Sequence, residues 1–501
     1  MSKPIPSSRT GLWAIIALIL AAGLFHFLHA SADYPIWDGD AVGFWPHVVS
    51  CAKEHRFSNP LYEGYLESVF GIPPSENTYA HGFLTPLLLA RLSRGDYHSL
   101  RMVMTVAHLV SLGLLLAAVG RVLPAGAKAA HRAVVFVLVT AIFTWSCSDL
   151  GRPESFTCLP VCVGLYLMAG RDFSRMRCVA LAIGTGIVFW FNPVPGVLLL
   201  AVIGTLILTE RGSQREKFTQ AAIFTIGAAV VVTAIFVLLY PGSGGQFFAA
   251  FSSAGKANLV RADSSEFSRY FLMHPVRPLL LGTVLAGVVA LARRVGVNAQ
   301  ASSDRWLSWA VVGILLLVAW RFGFHAPARN YGFLPLLPVI LFLCVPLVCR
   351  WLASPRQAGL AAHLVMGLLA LSAAANLAAI AGDLVRFQSY LKHGVRMQGT
   401  TDVFRQLRAT HPGARVGVSS ALFPCVVGDP LTVLDDPAIP RTADFLLIQQ
   451  VNRGSAAPVQ IPGYTLVSHS FVTHAPRLIV SVGRLTPSYA AALYEKAKGS
   501  P

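Results

Sequence analysis

Repeated apolar runs, separated by short basic loops, constrain this chain more than any other feature. A run of about 20 apolar residues crosses a bilayer as a helix, because a helix satisfies its own backbone polar groups in lipid. With 54% hydrophobic and only 13% charged residues, the composition excludes an ordinary soluble enzyme. About eleven spans are predicted, several of them short: Gly11–Ala30, Ser99–Leu123, Ala133–Ser148, Phe156–Ala169, Val179–Phe191, Val194–Leu208, Phe218–Leu239, Pro278–Leu291, Trp306–Trp320, Phe333–Val348 and Leu360–Ile380.

Two parts of this pattern have a second interpretation. The first run ends in Ala30–Ala32, which fits a signal-peptide cleavage site, but its apolar core is longer than a typical signal sequence and favours a retained span. The runs on either side of Asn192–Pro195 could form two spans, one broken helix or a re-entrant hairpin. Either choice changes the number of spans and leaves the class of protein unchanged.

The short loops on one side of the predicted bundle carry most of the positive charge. Their basic residues are Arg121, Lys128, Arg132, Arg171, Arg175, Arg177, Arg211, Arg215, Lys217, Arg293, Arg294, Arg305, Arg350 and Arg356. Because cytoplasmic loops hold the excess of Lys and Arg, the N-terminus is predicted to be cytoplasmic and the tail extracytoplasmic. We predict a multi-pass protein of the inner (plasma) membrane. The net charge of +17 reflects this topology and not nucleic-acid binding, since the sequence has no basic stripe.

The predicted fold is an α-helical polytopic membrane domain over residues 1–382, with a long first outer loop at 31–98, followed by a small extracytoplasmic α/β domain at 383–501. The tail is predicted to contain a helix and several β-rich runs separated by Gly and Pro. These elements are Asp402–Thr410, Arg415–Ser420, Ala443–Gln449, Tyr464–Phe471 and Arg477–Val482. The eight cysteines include no CxxC pair, so no metal or redox centre is inferred from them, although Cys51 and Cys425 could form a disulfide.

An acidic motif follows the first span. Asp38 and Asp40 stand two residues apart at the membrane face, in a chain with only 23 acidic residues. An ionised carboxylate here could act as a general base for a hydroxyl or bind a hard divalent cation. Alternatively, Asp40 caps a helix in a solvated turn.

Further polar residues lie in the same loop and in the next outer turn. His81 begins a short apolar segment that is predicted to lie at the membrane interface. The His81 side chain could bind a phosphate or sugar hydroxyl there, or it could hold a helix end. Arg152 and Glu154 occupy a tight outer turn. Arg152 could bind a phosphate through its planar guanidinium group, or it could pair with Glu154 to hold the turn.

Two later outer segments add cations. Arg261 and Arg269 lie among aromatic residues in the segment 242–277, which suits a lipid-phosphate headgroup but is also typical of an ordinary interfacial loop. Arg329 and Tyr331 stand at the outer mouth of a later span. Arg329 is the preferred phosphate ligand of this group.

Taken together, these motifs resemble the GT-C class of integral membrane glycosyltransferases, in particular its protein O-mannosyltransferase-like and bacterial polyprenyl-phosphate-sugar-dependent branch. The acidic motif at Gly39–Phe44 resembles the one that supplies the catalytic Asp in that class, with Asp40 as the match and Asp38 as second candidate. Ala41 stands where members often have Glu. The segments His81–Leu87, Arg152–Glu154 and Arg329–Pro338 resemble the interfacial helix, the Arg/Glu turn and the Arg-Tyr segment of the class.

The resemblance implies transfer of a hexose or pentose from a polyprenyl-phosphate donor to an acceptor hydroxyl on the outer face, with inversion. The Asp would act as base, Arg329, Arg152, Arg261 and Arg269 would bind the donor phosphate, and His81, Glu154 and Tyr331 would contact substrate. The expected partners are the lipid-linked donor, membrane lipid and a glycan, lipid or protein acceptor of the cell envelope. No cofactor is certain, and members differ in whether a divalent cation, Mg²⁺ or Mn²⁺, assists.

Two other functions stay open. A lipid or sugar transporter, such as a flippase, would place ionisable residues near the middle of the bilayer on interrupted helices, and the Asn192–Pro195 break is the only feature that favours it. A polysaccharide polymerase or ligase would rely on Arg and His in a large outer loop near the end of the chain. In this sequence the acidic loop comes first.

Overall fold

A computed structural model gives the architecture of the chain. It describes residues 9–31, 45, 47–55, 83–124, 126–146, 153–169, 174–209, 213–240, 276–298, 306, 309–313, 315–316, 334–393, 397–418, 432–434, 443–452, 460–469 and 488–497. Within these ranges the chain forms long helices up to residue 393, and a helix and strands after it. The following statements concern the described residues.

Twelve α-helices fall within the described ranges. They are α1 (Arg9–Ser31), α2 (Leu84–Ser93), α3 (Tyr97–Val122), α4 (Ala129–Ser146), α5 (Pro153–Met168), α6 (Arg175–Phe191), α7 (Pro193–Leu208), α8 (Gln214–Leu239), α9 (Val276–Asn298), α10 (Leu337–Ala353), α11 (Gly359–His393) and α12 (Met397–Thr410). A π-helical turn, Ser50–Glu54, precedes α2, and a 3-10 turn, Pro355–Gln357, precedes α11.

The predicted helical membrane architecture is confirmed in its coarse form. Four helices are long and apolar enough to cross a bilayer: His98–Val122, Gln214–Leu239, Leu334–Ala353 and Gly359–Ala378. Several shorter apolar helices coincide with the other predicted spans. The total of eleven spans stays a prediction, since most of the run Trp306–Trp320 lies outside the described residues.

The Asn192–Pro195 segment is a turn between two helices. A Cβ atom built on Gly196 would lie only 2.5 Å from the Cα atom of Phe189. Seven residues of straight helix would separate these positions by about 10 Å, so the chain folds back at Asn192. Because α6 and α7 pack on each other and both contact α8, they form a helical hairpin and not one broken helix.

Small residues allow α6 and α8 to approach closely. A Cβ atom on Gly186 would lie 2.6 Å from Cγ1 of Val231, and one on Gly227 would lie 3.0 Å from Cβ of Ala182. Small side chains at such crossings are a common way to pack helices in lipid, where burial of apolar area gives no driving force.

The interior of the bundle is mostly apolar, with one polar contact between α9 and α11. The Thr283 hydroxyl donates a hydrogen bond of 2.7 Å to the Ser372 hydroxyl, and Asn376 Nδ2 donates one of 2.7 Å to the Ser372 carbonyl. All three side chains are fully buried. The contact satisfies groups that would otherwise be costly to bury.

The tail contains α12 and a five-stranded mixed sheet. Its strands are β1 (Val416–Val418), β2 (Thr432–Leu434), β3 (Phe445–Asn452), β4 (Tyr464–His469) and β5 (Ser488–Lys496). The order across the sheet is β2-β1-β3-β5-β4, with β1 parallel to β2 and β3, and β5 antiparallel to β3 and β4. The run Arg477–Val482 lies outside the described residues.

The elements of the tail differ in part from the sequence prediction. The helix α11 continues to His393, past the predicted domain boundary at residue 383. The strands β2 and β5 were not among the predicted runs, and β5 lies inside the sheet. The division into domains and the side of the membrane on which the tail lies stay predictions.

Candidate functional site

Almost all the predicted site residues lie outside the described part of the chain. For Glu154 only the backbone is described, as the second residue of α5. The others are Asp38, Asp40, His81, Arg152, Arg261, Arg269, Arg329 and Tyr331. The described residues on either side of these positions show which helix ends the loops connect.

Four aromatic residues, which we call the aromatic cluster, join α8, the end of α6 and the residue before α2. The ring centroid of Phe83 lies 5.0 Å from that of Trp190 and 5.4 Å from that of Tyr240, and Phe236 stacks on both Trp190 and Tyr240. The Trp190 indole donates a hydrogen bond of 2.8 Å to the carbonyl of Val232. Rings packed in this way bury a large apolar area and hold these helix ends together.

The start of α5 joins the same end of the bundle. Phe156 lies 5.5 Å from Phe191, measured between ring centroids, and Phe191 follows Trp190 of the aromatic cluster. The Thr85 hydroxyl donates a 3.3 Å hydrogen bond to the Phe191 carbonyl, which ties α2 to the end of α6. Therefore α2, α5 and α6 meet where the segments 56–82 and 147–152 end.

The start of α10 is connected to this region through α5. The Cys158 thiol donates a hydrogen bond of 3.4 Å to the carbonyl of Leu334. Both residues are buried, and Cys158 lies two positions after Phe156. The segment that precedes Leu334, which carries Arg329 and Tyr331, thus joins the bundle beside α5.

Part of the first outer loop packs into the same apolar core. Trp45, Val48 and Val49 are buried in a cluster that also contains Phe83 and Trp190. His47 is only 2% exposed, and burial lowers the pKa of its imidazole to about 3. Cys51 is a free thiol, and burial raises its pKa to about 12.

A line of buried polar side chains runs down one face of α3. Arg101, Thr105, His108 and Ser111 recur every three or four residues and are all at most 6% exposed. Further along the helix, buried positions are occupied by Leu or Val, as at 112, 115, 116 and 119. The buried polar residues are therefore confined to the part of α3 that ends at Ser111, which follows α2 in the chain.

The deepest ionisable residue of that face contacts α4. The His108 ring stacks on Phe143, with 4.8 Å between centroids and 19° between planes. Thr140 lies one turn before Phe143 on α4, and both Thr140 and Thr144 are buried. Within the described ranges, the hydroxyls of these two threonines have no hydrogen-bond partner.

Neither the aromatic cluster nor the polar face of α3 was predicted from the sequence. The aromatic cluster joins residues more than a hundred positions apart, which no local pattern could indicate. The spacing of Arg101, Thr105, His108 and Ser111 was visible as a helical period inside an apolar run. Among the described residues no three His, Cys, Asp or Glu side chains form a group that could hold a metal ion.

Comparison with known proteins gives one likeness in architecture. The crystal structure of ArnT from Cupriavidus metallidurans bound to undecaprenyl phosphate is similar over 84% of this chain and 85% of that chain, at 14% sequence identity and a TM-score of 0.49. No known protein-family model and no curated protein matches the sequence. A likeness at this level identifies neither a substrate nor a catalytic residue of this chain.

Proposed function

We propose that this chain is a glycosyltransferase of the GT-C class, which moves a sugar from a polyprenyl-phosphate donor to an acceptor hydroxyl on the outer face of the inner membrane. The observation that carries the proposal is the meeting of α2, α5, α6 and α8 around the aromatic cluster and Phe156. Segments with the candidate acidic and basic residues adjoin these elements in sequence.

Chain length supports a common site for these residues. Asp40 precedes the buried Trp45 by five positions, and His81 precedes Phe83 by two. At 3.3–3.6 Å per residue, five positions span at most about 18 Å and two about 7 Å. Arg152 precedes Phe156 by four positions, so its distance from Phe156 is limited in the same way.

The proposed reaction uses groups of opposite charge. Asp40, or Asp38 in its place, takes the proton from the acceptor hydroxyl, whose oxygen forms a bond to the anomeric carbon of the donor. The bond from that carbon to the phosphate oxygen breaks, and the lipid phosphate leaves with the electron pair. Arg329 and Arg152, with Arg261 and Arg269, stabilise the charge on this leaving group.

Other groups would orient the substrates or assist the phosphate. His81, Glu154 and Tyr331 are proposed to hydrogen-bond the sugar or the acceptor. A divalent cation, Mg²⁺ or Mn²⁺, would fit carboxylates such as those of Asp38 and Asp40, which are hard oxygen ligands. Bound there, it would neutralise phosphate charge.

The described helices give little support to the transporter alternative. The Asn192–Pro195 break is a hairpin turn at the aromatic cluster, and not an interruption at the middle of one span. The polar face of α3 stops at Ser111, and apolar side chains fill the rest of its buried face. A transport pathway would need polar groups that continue across the bilayer.

The experiment compares wild-type protein in liposomes with Asp40→Asn and Asp38→Asn, using a panel of radiolabelled polyprenyl-phosphate sugars and crude membrane acceptors. If Asp40 is the base, Asp40→Asn lowers turnover by at least about 100-fold, the lower range for general-base catalysis. Protein amount and melting temperature are measured alongside to exclude misfolding.

The outcomes separate the parts of the proposal. Loss of turnover only in Asp38→Asn would transfer the base to Asp38. Turnover near the wild-type value in both variants would show that neither carboxylate is the base. If wild-type protein consumes none of the donors, the glycosyltransferase proposal is wrong.

A further inference from the structure

The short helix α2 has one face that packs on the bundle and one that does not. Leu84, Leu89 and Ala90 are buried on the first face. On the other face, Leu88 and Leu92 are 40% and 56% exposed, although both are large apolar side chains. Residues four positions apart lie one above the other on a helix, so these two leucines form a continuous apolar strip.

Three cations border this strip. Arg91 and Arg94 are exposed at the end of α2, and Lys53 is exposed in the π-helical turn before it. A Cβ atom on Gly95 would lie 3.7 Å from Cε of Lys53, so the lysine side chain passes this glycine, next to Arg94 in the chain. Of the side chains described from the turn to the start of α3, only Asp96 is acidic. This end of α2 therefore carries an excess of positive charge.

The backbone at Arg94 has a conformation that favours glycine. Arg94 is the C-cap of α2 with φ of 54°, and Gly95 follows it with φ of 73°. The left-handed region is sterically unfavourable for a residue with a Cβ atom, whereas glycine enters it freely. An exposed arginine at such a position indicates that its charge has a role beyond folding.

The helix α2 lies across one end of the bundle. It contacts α5 and α6 as well as α3, and the Thr85 hydroxyl is bonded to the carbonyl of Phe191 at the end of α6. Only four residues separate the end of α2 at Ser93 from His98, where the candidate membrane span within α3 begins. The exposed face of α2 is therefore close to the membrane surface, where a helix with apolar and basic side chains on one face is stable.

We propose that Lys53, Leu88, Arg91, Leu92 and Arg94, which we call the basic interfacial patch, bind the headgroups of anionic phospholipids. The two leucines enter the boundary of the acyl chains, which removes their exposed apolar area from water. The cations beside them extend to the headgroup level and attract phosphates of lipids with a net negative charge. A zwitterionic headgroup carries no net charge and is bound less well. This proposal is independent of the proposed function, because it needs no sugar donor.

The test is photo-crosslinking of the full-length protein in liposomes of phosphatidylglycerol and phosphatidylcholine in equal parts. The benzophenone amino acid p-benzoylphenylalanine replaces Leu92, and one lipid at a time is radiolabelled. The matched control carries the same amino acid at Leu238, which is 76% exposed on α8. Leu238 lies between Phe236 and Tyr240 of the aromatic cluster, so it reports the lipid mixture at the same end of the bundle.

At Leu92, phosphatidylglycerol should be captured at least about fivefold more than phosphatidylcholine, whereas capture at Leu238 should be equal. Arg91→Gln and Arg94→Gly should each lower the ratio at Leu92 by about fivefold, the effect typical of one basic residue near an anionic membrane surface. Arg94→Gly should not lower the melting temperature, since glycine adopts this positive φ without strain. Arg350→Gln, at an exposed arginine in the last turn of α10, should leave the ratio unchanged.

Three results would overturn the inference. Equal capture of the two lipids at Leu92 would mean that this face does not select a charged headgroup. Capture at Leu238 but none at Leu92 would mean that the exposed face of α2 contacts water or another protein. Loss of phosphatidylglycerol capture on addition of a trace of unlabelled polyprenyl phosphate would mean that the patch is a specific site for that lipid.

Discussion

Acid should loosen the part of the first outer loop that contains His47. Its imidazole is 2% exposed, and burial lowers its pKa to about 3, against 6.5 for an exposed histidine. Between these two values the opened segment binds a proton that the packed segment excludes. Stability is therefore fully present above pH 6.5 and is lost as the pH falls from 6.5 towards 3.

The magnitude follows from the two pKa values. From pH 7.5 to 5.5 the equilibrium for opening should rise about tenfold, which corresponds to about 1.4 kcal/mol. At pH 4.5 the rise should reach about 90-fold, or about 2.7 kcal/mol. Most of this loss of stability thus occurs at pH values at which exposed carboxylates are still ionised.

Hydrogen exchange measured by mass spectrometry can follow this opening for residues 47–55, as protection factors corrected for the pH dependence of intrinsic exchange. His47→Gln keeps a polar side chain that does not titrate, and its protection should not change with pH. The strand peptide 443–452, which contains no histidine, reports any general effect of acid. A protection factor that falls equally in wild type and His47→Gln would refute the assignment to His47.

Two further predictions test helix packing. Gly186→Ala places a Cβ atom 2.6 Å from Cγ1 of Val231 and should destabilise the protein by about 1–3 kcal/mol, whereas Gly184→Ala, which meets nothing within 4 Å, should not lower the melting temperature. Val231→Ala should restore only part of this loss, because the Cβ atom of residue 231 would still lie 2.8 Å from the added Cβ atom. Thr283→Val and Ser372→Ala should show a coupling of about 0.6 kcal/mol in a double-mutant cycle, and additive effects would mean that their 2.7 Å hydrogen bond contributes nothing.

Apolar runs predicted the position of helices better than their ends. The run Phe218–Leu239 corresponds to α8, but the helix begins earlier, at Gln214, because the Ser213 hydroxyl accepts a hydrogen bond from the Glu216 amide. This N-cap satisfies a backbone amide of the first turn, so the helix can begin among polar residues. A hydropathy pattern marks the residues that contact lipid, whereas the hydrogen-bonded helix extends past those residues.

The strand β5 shows why part of the tail was missed. Its central residues, Ala490–Ala492, and its end, Glu495 and Lys496, belong to residue types that favour helices. Pairing with β3 on one side and β4 on the other makes this segment a strand. Partners distant in sequence decide such a case, so local propensity could not indicate it.

The same contrast holds for the candidate site: charged residues were selected from the sequence, whereas the buried contacts were not. Charged residues in the predicted outer loops were chosen as candidates from their chemistry, because an acidic residue is conspicuous in a chain with only 23 of them, and they stay predictions. The polar face of α3 was overlooked because its residues, among them His108, lie inside an apolar run. Yet the polar period on α3 ends at Ser111, and Leu112, Leu115 and Leu116, which follow it, are fully buried. The same helical spacing continues from the polar residues into these leucines, so it marks one buried face of α3 along its length.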